Sequence, residues 1–311
     1  MNVVTLGETM GLFAASSVGA LTHVDDFRLR IGGAESNVAI GLARLGIEAT
    51  WIGRIGADEI GELVRREIRA EGVVTHVIVD PGAPTGIMVK SRRTPDSTRV
   101  YYYRAASAGS RLSPDDIDHG VVARADLLHV TGITPALSAS AGAAVDRAID
   151  IARREGVPVS FDVNHRSSLW SIEQAAPVYR SIAERATIVF AGLDEAALLA
   201  PGGSAAELSL NIAALGPTEV IIKLGAQGCH ASIDGVGLDV PAVPVTVVDT
   251  VGAGDAFVAA YLAGRLEGAD SKARLAMAVR AGAFACLGAG DWESLPTRDG
   301  LTERELDPVQ R

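Results

Sequence analysis

Asp249-Thr250-Val251-Gly252-Ala253-Gly254-Asp255-Ala256-Phe257 is the stretch on which the reading of this chain turns. The residues before it, Val243 to Val248, are rich in valine and predict a strand, whereas Asp255 to Gly268 carries Phe257, Val258, Tyr261 and Leu262 at helical spacing. Gly252 and Gly254 therefore fall at a strand-to-helix turn, with Ala253 between them. Lacking side chains, the glycines let backbone N–H groups come close to an anion, and the unpaired N–H groups and positive dipole end of the helix favour negative charge there. Asp255, set among those donors, can take a proton from an attacking hydroxyl while the N–H groups neutralise charge developing on a transferred phosphoryl group. Taken alone, Gly-x-Gly-Asp before a helix is equally a tight turn with an aspartate N-cap.

Outward from this stretch, short valine- and isoleucine-rich runs alternate with longer alanine- and leucine-rich segments that end in glycine. This is the pattern of β-α units around a mostly parallel central sheet with helices on both faces. Strands are expected at Val3 to Leu6, near Thr50 to Ile52, and at Asp126 to Thr131, Val157 to Val163, Thr187 to Phe190 and Glu219 to Leu224. Helices are expected at Ser36 to Leu45, Ile60 to Ala70, Ala139 to Arg154, Glu173 to Glu184 and Glu195 to Leu199. Two stretches, about 11–32 and 85–105, break the alternation; in the second, Gly86 to Lys90 and Arg99 to Arg104 flank Thr94-Pro95-Asp96-Ser97 as in a hairpin. Strands without intervening helices form a separate small sheet, so a single α/β domain over 1–311 is expected, with a β lid built from those two stretches.

Composition excludes several classes. The chain has 311 residues, 48% of them hydrophobic, which suffices for a large core, and a formal net charge of −10 that argues against nucleic-acid or membrane-surface partners. Cys229 and Cys286 read as small buried hydrophobes in a reducing compartment. The start Met1-Asn2-Val3-Val4-Thr5 has no signal-peptide pattern and no uncharged apolar run approaches about 18 residues, so a cytoplasmic protein is expected.

The quoted stretch as a whole resembles the signature of the ribokinase-like (PfkB) carbohydrate kinase family. That resemblance implies a ribokinase-like fold, ATP as phosphoryl donor and Asp255 as catalytic base, with Gly252, Ala253 and Gly254 in the anion hole. Gly32-Gly33-Ala34-Glu35-Ser36-Asn37 is similar to the family's glycine pair and sugar-binding asparagine, which points to Gly33 and Asn37. Tyr101-Tyr102-Tyr103-Arg104 leading to Ala108-Gly109-Ser110, then Asp162-Val163-Asn164-His165-Arg166, then Gly290-Asp291-Trp292-Glu293, look like the 2-keto-3-deoxygluconate kinases of that family. In the matching kinases Tyr102, Arg104 and Arg166 contact the sugar acid. Chemistry agrees, because a guanidinium fork matches a carboxylate that a neutral sugar lacks. Each residue has a plain alternative: a solvated surface arginine for Arg104 and Arg166, a first-turn residue for Asn37, a turn aspartate for Asp291.

Ile221 to Gly228 resembles the family's strand and loop beside ATP, so Asn164, Lys223, Gly225 and Gly228 join Gly252 and Gly254 as nucleotide candidates. The alternative is a strand followed by a hairpin turn, with Lys223 in solvent. Neither a P-loop motif nor Gly-x-Gly-x-x-Gly occurs. Mg2+ is expected as a shield for the phosphates, and a monovalent cation beside the anion hole is left open. Where many relatives have Asn-x-x-Glu, this chain has Gly192-Leu193-Asp194-Glu195; Glu195 either acts through metal-bound water or begins a helix. Met88 and His165 stand where tyrosine is expected, which bears on the identity of the acid. The sequence thus points to an ATP-dependent kinase phosphorylating a primary hydroxyl of 2-keto-3-deoxygluconate or a close 2-keto-3-deoxy sugar acid. The alternatives are a kinase of a neutral sugar (fructose, ribose) or a nucleoside, and a non-catalytic sugar-acid-binding protein. A homo-oligomer, dimer or higher, joined through lid strands is also expected.

Overall fold

Apolar strands that alternate with one-sided helices leave a sheet with two faces to bury, and the chain covers both. The computed structural model describes residues 1–94 and 97–301. The chain runs β1 (Asn2–Leu6), β2 (Met10–Val18), β3 (Phe27–Gly32), α1 (Ala34–Arg44), β4 (Glu48–Gly56), α2 (Glu59–Ala70), β5 (Val74–Asp80), β6 (Ile87–Thr94) and β7 (Ser97–Tyr103). It continues through α3 (His119–Ala123), β8 (Leu127–Thr131), α4 (Ile133–Leu137), α5 (Ala139–Arg154), β9 (Val159–Asp162), α6 (Ile172–Ala183), β10 (Ile188–Gly192), α7 (Leu193–Leu199) and α8 (Ala205–Ala213). It closes with β11 (Glu219–Lys223), β12 (Cys229–Ile233), β13 (Val236–Val240), α9 (Ala253–Leu266) and α10 (Ser271–Ala285).

Nine strands form one sheet in the order β13-β12-β11-β10-β9-β8-β1-β4-β5. From β11 to β5 every neighbouring pair is parallel, and β12 and β13 add antiparallel partners at one edge. Successive residues of a strand point to opposite faces: Phe190 and Ile221 join the core under α1, α2, α9 and α10, whereas Val189, Val220 and Ile222 join the core under α5, α6 and α8. The remaining four strands form a small sheet, β3-β2-β6-β7, with β2 parallel to β6 and the outer pairs antiparallel. Both stretches that broke the alternation lie here. The antiparallel pairing of β6 with β7 agrees with the expected hairpin, and its tip, Pro95-Asp96, lies outside the described residues.

One expected element is not formed. Val243 to Val248 makes no ladder, because Pro241 and Pro244 lack the N–H that a strand must donate, and Val243, Val245 and Val247 instead line an apolar cleft beside α9 and α10. The helix that follows starts at Ala253, so Gly254 lies inside its first turn.

Helices α1 and α9 pack against each other on one face of the large sheet. The crossing is close because Gly41 has no side chain: a Cβ there would lie 2.7 Å from the Cβ of Ala259. Valine at position 41 recovers a few tenths of a kcal/mol in helix propensity but overpacks the crossing at a cost of about 1–3 kcal/mol. Gly41→Val is therefore expected to unfold at lower temperature than the wild type; an unchanged melting temperature would contradict the close crossing.

Candidate active site

One turn above that crossing, the N-terminal ends of α1 and α9 meet. Asn37 on α1 donates through Nδ2 to Asp255 Oδ2 on α9 at 2.8 Å, although 218 residues separate them in sequence. The turn before α9 depends on Gly252, which is left-handed at φ 78°. A Cβ there would also overlap the carbonyl oxygen of Asp291, so both conformation and space demand glycine. Among the described residues, the amides of Gly252, Gly254 and Asp255 make no backbone hydrogen bond. They form a cluster of free donors at a helix start.

These residues floor a polar cavity of about 320 Å3. Gly33, Asn37, Tyr102, Arg104, Asn164, Arg166, Lys223, Gly252, Gly254, Asp255 and Asp291 all line it, so residues read from six separate motifs come to one place. Asn164 is held at φ 40°, a left-handed conformation that asparagine tolerates better than most residues and that clusters at functional sites. Two buried acceptors, Asn37 Oδ1 and Asp291 Oδ1, have no hydrogen-bond donor here. A polyhydroxylated ligand supplies what they lack.

The cations differ in how far they are committed. Arg104 donates through Nε to Glu8 Oε2 at 2.7 Å, and its Nη2 lies 2.6 Å from the same oxygen. Its guanidinium also stands 5.8 Å from the ring centre of Tyr102. Lys223 grips both oxygens of Asp162 at 2.7 and 2.8 Å. Burial alone would lower the Lys223 pKa, but the carboxylates of Asp162 and Glu195 outweigh it and raise the value, so the ammonium stays charged. Arg166 is exposed and bonds only the carbonyl of His165, at 3.3 Å, among the described residues.

The half-buried Asp255 carboxyl is pushed up to about 7: desolvation in the cleft floor and the neighbouring charge of Asp162 outweigh the Asn37 hydrogen bond and the cations Arg166 and Lys223. Burial likewise raises Asp291 to about 6 against the opposing pull of Lys90.

A second cleft of about 610 Å3 adjoins the first and shares Lys223, Thr250 and Gly254 with it. Its walls are apolar, with Val243, Val245, Val247, Phe257 and Val279, and Gly225, Gly228 and Ala253 lie along it. Glu195 lines neither cavity. Its oxygens accept from the amides of Gly192 at 2.7 Å and His165 at 2.9 Å, a helix-start role. The ring of His165 turns away to Tyr179 Oη, at 3.0 Å.

A sequence profile described as pfkB family carbohydrate kinase matches residues 1–298. The chain belongs to this family. A 2-dehydro-3-deoxygluconokinase of Thermoproteus tenax is 36% identical over 96% of this chain and 92% of its own length. One of Bacillus subtilis is 36% identical over 97% and 94%. Among solved structures, an E. coli protein described as Ribokinase II, in complex with ATP and Mg2+, superimposes with a TM-score of 0.90 at 25% identity, covering 96% of this chain and 97% of its own. The fold is thus ribokinase-like and the chain is a carbohydrate kinase.

Sequence reasoning missed Glu8, Lys90 and Asp162, which also line the polar cavity. Asp162 stood two residues before Asn164 in a quoted motif and could have been found as the strand-end acid. Glu8 follows β1 without any local pattern, and nothing in the sequence pairs it with Arg104.

The raised Asp255 pKa has a consequence for stability. Its folded value exceeds the unfolded one of about 3.9, so ionised Asp255 costs the folded state stability above pH 7, and the cost vanishes where both states are protonated. Asp255→Asn is expected to melt roughly 2 °C or more above the wild type at pH 8, with the difference closing below pH 4. A lower melting temperature at pH 8 would contradict the burial of this charge.

Proposed function

We propose that this chain phosphorylates a primary hydroxyl of 2-keto-3-deoxygluconate, or a close 2-keto-3-deoxy sugar acid, from ATP, with Asp255 as general base. The observation that carries this is Arg166, which lines the polar cavity without a carboxylate partner among the described residues, whereas Lys90, Arg104 and Lys223 in the same lining are each paired with an acid. A substrate carboxylate supplies that partner, whereas fructose, ribose or a nucleoside leaves it empty. Arg104 adds a second edge, since Glu8 engages only its Nε and Nη2. The curated relatives carry the same substrate in their names. The lid-side wall of Met10, Leu12, Met88 and Val100 is apolar, which suits the methylene of a deoxy acid. Met88 gives no hydroxyl to read a substrate OH, so discrimination between epimers of the acid is expected to be weak.

In this reading Asn37 and Asp291 hold the sugar hydroxyls, and Asn37 also fixes the Asp255 carboxylate toward the attacking oxygen. The Asp255 carboxylate accepts the proton as that oxygen attacks. The amides of Gly252, Gly254 and Asp255, together with the Lys223 ammonium, neutralise the charge that develops on the transferred group. The apolar cleft beside Gly225 and Gly228 suits a nucleobase, and its junction with the sugar cavity at Gly254 and Lys223 suits the phosphates between them. Among the described residues no group of three metal-ligating side chains exists, so Mg2+ fits as an ion held mainly by phosphate and water, with the oxygens of Asp162 and Asn164 lining that cavity and Glu195 acting at most through water. When bound it shields the phosphates and draws charge from them. Turnover compared in potassium and tetramethylammonium salts reads out the monovalent cation directly.

The domain is read as one kinase unit whose small sheet closes over the sugar. The outer face of that sheet carries Phe13, Phe27, Leu29, Val89, Tyr101 and Tyr103, with Phe27 and Leu29 at 40% and 45% exposure. A second copy of the chain is the proposed cover, giving a homodimer. Among the described residues no helix is long and apolar enough to cross a membrane; separately, a cytoplasmic location is proposed because ATP is the phosphoryl donor, and cell fractionation checks it.

ADP formation is to be measured with ATP, Mg2+ and, separately, 2-keto-3-deoxygluconate, gluconate, fructose, ribose and adenosine. Turnover is expected with the keto acid, with kcat lowered about 10²- to 10⁴-fold by Asp255→Asn, and with Arg166→Met raising the KM for the acid. Turnover confined to a neutral substrate would overturn the arginine argument. Light scattering of the same preparation is expected to give a dimer that Leu29→Lys weakens; a monomeric wild type would sink that assignment.

A further inference from the structure

Lys90 lies in the polar cavity but has no part in the chemistry above. On β6 its Cα pairs with Ala14 of β2 and Val100 of β7. These small neighbours let the stem run across the inner face of the small sheet, leaving the side chain 9% exposed. The ammonium then leaves the small sheet altogether: it stands 2.7 Å from Asp249 Oδ2 and 3.5 Å from Asp291 Oδ1.

Both carboxylates belong to segments that support Gly252. Asp249 begins the run into the turn, and its other oxygen accepts from the amide of Val251 at 3.2 Å. Asp291 places its backbone carbonyl where a side chain at position 252 would have to go. One buried ammonium therefore touches the two walls of the anion turn while its backbone belongs to the sheet over the sugar. Without it, the half-buried carboxylates of Asp249 and Asp291, which already repel each other, would lose their shared cation, and the hold on the Val251 amide would lose its anchor. A pair this desolvated is weak evidence for stability as such, and its placement fits a role in geometry better.

We propose that Lys90 is a positioning residue that clamps the small sheet to Asp249 and so fixes the Val251 to Gly254 turn for phosphoryl transfer. Seating of that sheet over the sugar and completion of the anion hole then become one event. This rests on the kinase reading above.

The test combines steady-state kinetics with hydrogen exchange on Lys90→Met, Lys90→Arg, Asp249→Asn and the Lys90→Met/Asp249→Asn double variant. Lys90→Met and Asp249→Asn are each expected to lower kcat about 10- to 100-fold while the KM for ATP changes little. The double variant is expected to be no worse than the poorer single one, and Lys90→Arg to retain most activity. In Lys90→Met, amide exchange is expected to quicken both in β6 and across residues 249–256. An unchanged kcat, a loss confined to KM, or a double variant showing the product of the single losses would overturn the proposal, as would faster exchange confined to β6. Should Lys90→Met fail to fold, Asp249→Asn and Lys90→Arg carry the kinetic test. Should the wild type turn over none of the sugars, the kinase reading fails and the exchange pattern alone decides the role of Lys90.

Discussion

The hydrogen bond from Asn37 to Asp255 is the constraint around which the rest of this molecule is arranged. It exists because α1 and α9 cross at Gly41 and Ala259, four residues further along each helix and therefore one turn below. Both helices lie on the same face of the large sheet, and their N-terminal ends point to the carboxyl ends of the parallel strands, where α/β folds collect ligands. From there the order of events is short. Asn37 brings the sugar-side motif, Asp255 brings the phosphoryl-side motif, and Gly252 turns the chain so that free amides surround the carboxylate.

The electrostatics follow from the same geometry. A carboxylate in a half-buried floor beside Asp162 titrates far above its usual range, which makes it a base suited to neutral pH. Around it the charges are matched in pairs, Arg104 with Glu8, Lys223 with Asp162 and Lys90 with Asp249. Each pair holds a cation in position without leaving it free to bind anions indiscriminately. Arg166 is the exception: among the described residues it bonds only the carbonyl of His165, and the proposed sugar-acid reading rests on it. Glu35 shows the same economy from the other side: fully buried, with its pKa raised by desolvation and its oxygen accepting from Thr131 and Thr134, it ties the start of α1 to β8.

Much of this was legible in the sequence because the informative residues are local. Gly252, Gly254 and Asp255 mark a strand-to-helix turn by spacing, and the β-α alternation gave β1, β4, β8, β9, β10 and β11 of the large sheet, while the edge strands β5 and β13 and the neighbouring β12 were not among the expected strands. The two stretches without helices became the small sheet for the same reason. Val243 to Val248 misled because β-branched composition describes an extended apolar segment equally well whether it pairs with a neighbour or lines a cleft, and only Pro241 and Pro244 spoke against pairing. Glu8 with Arg104, and Lys90 with Asp249, were invisible for another reason. Ion pairs between residues distant in sequence have no spacing to read, and they emerge only when the small sheet is laid over the large one.

The central claim is that Asp255, raised to a pKa near neutrality by its surroundings, is the base of a kinase. The most direct test is the pH dependence of kcat/KM for the keto acid between pH 5 and 9 at saturating ATP and Mg2+, since that profile reports the essential base of the enzyme form that captures the acid. The account expects activity to fall tenfold for each unit below about pH 7. A rate that stays level down to pH 5 would contradict it.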